Sequence, residues 1–171
     1  MKNLQTGDVL FVEGKGIIGK GIALVTRSKV SHVGIIYNKD LIFETYAGQN
    51  ARLNPIAKRY AGKNVLVYRP PLSDSDKEKV IKRCHKYNGS KYSMFDIGTN
   101  FLFAWMPSKL RRKIVAKLGR KSWMICSEIT ARILYDVNPT KFDYLKLYEG
   151  LQPGGVLKFA EVNQWKRINV T

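Results

Sequence analysis

The sequence predicts an α+β domain, with an antiparallel β-sheet or small barrel from the N-terminal half packed against helices from the C-terminal half. Three observations carry that expectation. Short β-rich runs gather early in the chain, apolar positions of helical period gather late, and two early runs lie too close together for a crossover helix between them. At 171 residues, with no Pro/Gly/Ser linker, internal repeat or low-complexity tract, residues 1–171 read as a single domain.

Taken in order, residues 8–13 (DVLFVE) form an apolar strand followed by a glycine-rich turn. Residues 31–37 (SHVGIIY) and 41–46 (LIFETY) are separated only by Asn38-Lys39-Asp40, so they should pair as an antiparallel hairpin. Residues 64–69 (NVLVYR) make a fourth strand, ended by Pro70-Pro71. A helix starts near Ser73 or Ser75, where Ser75 and Glu78 have capping-box spacing, and ends at Asn88-Gly89 with Val80, Cys84 and Tyr87 facing inward. From 92 to 121 the pattern is helical but broken at Pro107, which predicts two helices. A further helix runs from about 126 to 137, because Ile129, Ile133 and Val137 recur with helical period before Asn138-Pro139. A short helix over 154–160 and a closing strand over 164–170 complete the reading.

Composition narrows the function classes. With 44% apolar, 11% aromatic and 25% charged residues the chain is globular in character, not disordered. Its richest apolar stretch, residues 101–106, stops at Pro107, far short of the roughly 18 residues of a membrane span. The first residues show no apolar signal-peptide core, so cytoplasmic synthesis is expected, with the site of action left open. Cys84 and Cys126 lack metal-ligand spacing and are expected as thiols. Thirty Lys and Arg against 13 Asp and Glu give a net charge of +17, a field that attracts nucleic acid, anionic lipid or anionic wall polymer. There is no RNA-binding aromatic motif, zinc-finger spacing or clear helix-turn-helix to favour nucleic acid.

Two phosphate-binding patterns fail on inspection. Gly14 to Gly19 matches G-x-G-x-x-G, and Gly14 to Lys20 matches the start of a P-loop. The next residue, Gly21, has no hydroxyl for Mg²⁺, and Asp40, the candidate ribose ligand, falls in the hairpin gap.

Cys126 is the most informative residue. It follows the extended Trp123-Met124-Ile125 and opens a helix, where backbone N–H groups and the basic field favour thiolate over thiol. The same N–H groups would stabilise the oxyanion formed when sulfur attacks a carbonyl carbon. His32 begins a strand on which His32, Gly34 and Ile36 share one face, and Glu44 lies on the next strand among apolar neighbours, where it needs a partner. In register, Glu44 would accept the Nδ1–H of His32 and leave Nε2 free for the thiol proton. Cys84 and His85 are adjacent on a helix and point about 100° apart, so they read as a core thiol and a surface imidazole.

The ordered set Thr6-Gly7-Asp8-Val9-Leu10-Phe11, Ser31-His32-Val33-Gly34-Ile35, Phe43-Glu44, Val67-Tyr68-Arg69, Lys91-Tyr92 and Ile125-Cys126-Ser127-Glu128 resembles a known family. It is similar to the circularly permuted NlpC-like branch of the papain-fold cysteine hydrolases, which includes YiiX-like proteins and relatives of lecithin:retinol acyltransferase. The resemblance implies a permuted papain-like fold, with Cys126 as nucleophile, His32 as general base and acid, and Glu44 orienting His32. It further implies cleavage of a peptide or peptidoglycan-type amide through an acyl-enzyme, without metal or nucleotide cofactor.

Two alternatives stand beside that expectation. One is a lipid hydrolase or acyltransferase at the same site, acting on an acyl-lipid. The other is a non-catalytic basic adaptor that binds membrane or nucleic acid. Lys109, Arg111, Arg112, Lys113, Lys117, Arg120 and Lys121 follow an aromatic run, and such a cationic segment suits peripheral contact with an anionic membrane or wall polymer.

Overall fold

The computed structural model describes residues 3–14, 29–46, 48–92, 110, 123–146 and 151–170. Apart from Tyr92, which lies in a strand, and Leu110, the expected helices over 92–121 with their seven cations, and the glycine-rich segment after Gly14, lie outside the described residues.

The architecture is α+β, built on an antiparallel sheet. Its strands are β1 (Val9–Glu13), β2 (Val30–Ile36), β3 (Leu41–Tyr46), β4 (Gln49–Pro55), β5 (Val65–Arg69) and β8 (Lys166–Ile168), in the spatial order β4-β3-β2-β1-β5-β8. A small parallel pair joins β6 (Lys91–Tyr92) to β7 (Trp123–Met124). The helices are α1 (Ile56–Tyr60), α2 (Asp74–Tyr87), α3 (Cys126–Val137) and α4 (Pro153–Val162), with a 3₁₀ turn at Asp143–Lys146.

The central strands read as continuous apolar runs because the sheet is buried on both faces. Along β1, Val9 and Phe11 enter one core with Val33, Ile35, Phe43 and the helix residues Val80, Ile129, Ile133 and Val156. Leu10 and Val12 enter a second core on the opposite face with Ile36, Ile42, Ile56, Tyr60 and Ile168. The strand period of two distributes neighbouring residues between these cores. Helix α3 packs against β2 and β3, which brings its N-terminus to the part of the sheet that carries His32 and Glu44.

The β2–β3 hairpin forms as expected around Asn38-Lys39-Asp40, with Asn38 Oδ1 accepting from the Asp40 and Leu41 amides at 2.9 and 2.8 Å. That antiparallel pairing removes the dinucleotide-binding reading, which needs a parallel strand to carry Asp40. Several elements escaped the sequence. Strand β4, helix α1, the short strand β6 and the 3₁₀ turn were not expected, and the run at 65–69 is therefore the fifth strand. The expected closing strand forms as β8 and joins the sheet from the C-terminus, and the expected helix α2 lies in the N-terminal half, so the division into an N-terminal sheet and C-terminal helices holds only in outline. The start of α2 is corrected as well: Ser73, not Ser75, is the N-cap, and its partner is Asp76.

Candidate active site

The site forms where two strands part. β2 and β3 pair at Ile35↔Phe43 and Ile36↔Ile42, and no pairing continues toward His32 and Glu44. Gly34 allows the crossing. A Cβ placed there would lie 2.8 Å from Ile42 Cδ1 and 3.2 Å from Glu44 Cβ, so the missing side chain leaves room for the Ile42 and Glu44 side chains against β2.

His32 Nε2 lies 2.5 Å from Glu44 Oε2, and both residues are buried. The Cys126 side chain lies near enough to the imidazole to favour its charged form. Because Nε2 is committed to Glu44, Nδ1 is the nitrogen left for sulfur. The three expected residues are therefore brought together, but with the ring turned over relative to the expected Nδ1–Glu44 contact. The reason is strand geometry: Glu44 sits deep between β2 and β4, under the far edge of the ring, while Cys126 arrives from the helical layer.

Glu44 is 1% exposed and has a set of donors that the sequence did not reveal. Asn54 Nδ2 donates to Oε1 at 2.9 Å, the Tyr60 hydroxyl donates to Oε2, and Arg59 Nε lies 2.5 Å from Oε1. That last contact is an ion pair without the alignment of a hydrogen bond. Burial alone would raise the Glu44 carboxyl, but the bonds from His32 and Tyr60 and the charges of His32 and Arg59 hold it below the usual carboxylate range. Burial likewise opposes charge on His32, yet the Cys126 and Glu44 side chains outweigh it and raise the imidazole to about 9.

Two tyrosines flank the pair. The Tyr46 ring is 4.5 Å from the His32 ring, and Arg59 stacks over Tyr46 at 4.4 Å. Tyr92 stands beside Met124 through the β6–β7 pair, two residues before Cys126. Burial raises the Tyr92 phenol strongly, and the nearby Cys126, Tyr46 and Glu128 charges add to this, so it stays a proton donor.

Cys126 is the first residue of α3 and 7% exposed. Glu128 braces the turn by accepting the Ile125 amide at 3.0 Å, and Thr130 Oγ1 donates to the Cys126 carbonyl at 2.9 Å. Cys84 and His85 separate into core and surface as expected. Cys84 is 1% exposed in the main core and burial pushes its thiol up to about 12, whereas His85 is exposed and its Nε2 lies 3.0 Å from the Tyr37 hydroxyl. Among the described residues, no group of three or more His, Cys, Asp or Glu side chains is arranged to hold a metal ion. No described helix is long and apolar enough to cross a membrane.

No family model and no curated protein matches the chain. The fold is similar to the crystal structure of the metalloprotein yiiX from Escherichia coli O157:H7, with a TM-score of 0.65 over 98% of this chain and 97% of that one. The two sequences are 20% identical. The YiiX-like fold is thereby established; at that identity the likeness concerns fold alone.

Proposed function

We propose that the chain is a cysteine hydrolase of the permuted papain-like type, cleaving an amide through an acyl-enzyme on Cys126. The observation that carries this reading is the buried His32–Glu44 pair, with the Cys126 side chain near enough to the imidazole to favour its charged form. Such an arrangement has the parts of nucleophilic catalysis: sulfur, a base near it, and an acid that orients the base. His32 takes the Cys126 proton, and sulfur bonds the carbonyl carbon. The first N–H groups of α3 have no carbonyl four residues earlier and are available to the resulting oxyanion. His32 then gives its proton to the leaving amine as the C–N bond breaks, and water, deprotonated by His32, releases the acid.

Glu44, held below the carboxylate range, favours the protonated imidazole that this sequence forms and consumes. The preferred substrate is a peptide or peptidoglycan-type amide; an acyl-lipid ester or amide is the alternative at the same residues. Assay of purified protein on muropeptides and on acyl-lipids distinguishes them. Turnover of a muropeptide amide that falls at least 10³-fold in Cys126→Ala is the expected result. Turnover that survives this substitution would remove the thiol from the chemistry.

A further inference from the structure

Arg59 is, among the described residues, a cation in direct contact with the Glu44 carboxylate. Its Nε approaches Glu44 Oε1 at 2.5 Å while His32 Nε2 holds Oε2, so the two bases grip opposite oxygens of one carboxylate. Its guanidinium lies over the Tyr46 ring, whose own neighbour on the site is the His32 ring. Arg59, Tyr46 and His32 thus form one continuous set of contacts around Glu44.

Two features set Arg59 apart from a purely structural cation. It meets Glu44 through a buried Nε that lacks hydrogen-bond alignment, not through a two-pronged fork, so one carboxylate does not exhaust its donors. Its side chain keeps 22% of its surface exposed, while Glu44 beneath it has none. A guanidinium stacked on an aromatic face, with donors left over and an opening to solvent, is a carboxylate receptor in its chemistry. The charge count agrees. With His32 protonated, His32 and Arg59 carry two positive charges against the single negative charge of Glu44. Once sulfur is consumed by a carbon electrophile, a negative group on the electrophile restores the balance.

Resting on the hydrolase reading above, we infer that Arg59 selects acyl substrates that bear a carboxylate close to the scissile carbonyl. A neutral lipid acyl chain has no group for it.

The test needs no knowledge of the natural substrate. Iodoacetate and iodoacetamide alkylate sulfur by the same displacement, forming the S–C bond and releasing iodide, and differ in carrying a carboxylate or a neutral amide. Their rate constants at Cys126 are measured on the full chain by mass spectrometry. In Arg59→Gln and Arg59→Met the iodoacetate to iodoacetamide ratio should fall on the order of tenfold, as expected for one charge lost several ångströms away in a partly screened site. The ratio should hold in Lys158→Gln, which removes an exposed charge on α4. An unchanged ratio in both Arg59 variants, or an equal fall in Lys158→Gln, overturns the inference. A second measurement avoids substitution: succinate should slow iodoacetamide labelling of the unaltered protein, and equimolar succinamide should not. Equal effects of the two would also overturn it. If neither reagent labels Cys126, the hydrolase reading fails together with this one; labelling with an unchanged ratio removes the Arg59 role alone.

Discussion

His32 is pulled in two directions by its surroundings. Burial favours the neutral ring, while the sulfur of Cys126 and the carboxylate of Glu44 favour the charged one and prevail. A folded-state pKa of about 9 against the ordinary 6.5 means that folding favours the imidazolium. Its stabilisation is therefore complete below pH 6.5 and is lost as pH rises through about 9. An NMR titration of the ring carbon proton should show His32 changing near pH 9, with Cys126→Ala and Glu44→Gln each lowering that midpoint. A midpoint at or below 6.5 that neither substitution moves would contradict the assigned contacts. Cys126, His32 and Glu44 were legible in the sequence because each carries its own signal: a thiol at a helix start, an imidazole on a strand, an acid among apolar neighbours. Asn54, Arg59, Tyr60 and Tyr46 carry none. They matter only through Glu44, and no local pattern distinguishes an asparagine that supports a buried acid from one in a turn. The choice of imidazole nitrogen was equally out of reach, since it depends on which side of the ring each partner approaches.

Strand β4 shows why part of the fold stayed hidden. Its sequence, QNARLNP, buries only Ala51 and Asn54, so it lacks the apolar alternation by which a strand is recognised. It forms the outer edge of the sheet, where pairing with β3 and the demand of Glu44 for a donor decide the conformation. Helix α1 has five residues, too short to develop a period. At the start of α2 two serines competed for the cap. Ser73 Oγ accepts the Asp76 amide at 3.2 Å, and Asp76 Oδ2 accepts the Ser73 amide at 3.2 Å, which closes the reciprocal box. Aspartate in the place of the usual glutamate concealed it. Ser73→Ala should lower unfolding free energy by about 1 kcal/mol, and Ser75→Ala by a few tenths, in urea denaturation. Equal losses at the two positions would contradict the assigned cap.

The molecule as a whole places its two thiols in contrasting settings. Cys84 lies on the inward face of α2, which packs on α3, among apolar core neighbours, and burial is the chief influence on it. Cys126 lies at the junction of α3 with the sheet, against an imidazole that has a carboxylate behind it. The antiparallel sheet is what makes this junction. Its parted hairpin supplies base and acid, the β6–β7 pair supplies Tyr92, and packing of α3 on β2 and β3 delivers the sulfur. The general α+β layout was readable from the order of apolar patterns. The meeting of His32 and Glu44 was readable from the hairpin, whereas the arrival of Cys126 beside them leaned on resemblance to a family, because it depends on contacts far apart along the chain. The decisive measurement is the rate of iodoacetamide labelling at each cysteine at neutral pH, with and without His32. Cys126 should react at least ten times faster than Cys84, and His32→Ala should remove most of that difference. Equal rates at the two cysteines, or a Cys126 rate indifferent to His32, would contradict the proposed chemistry.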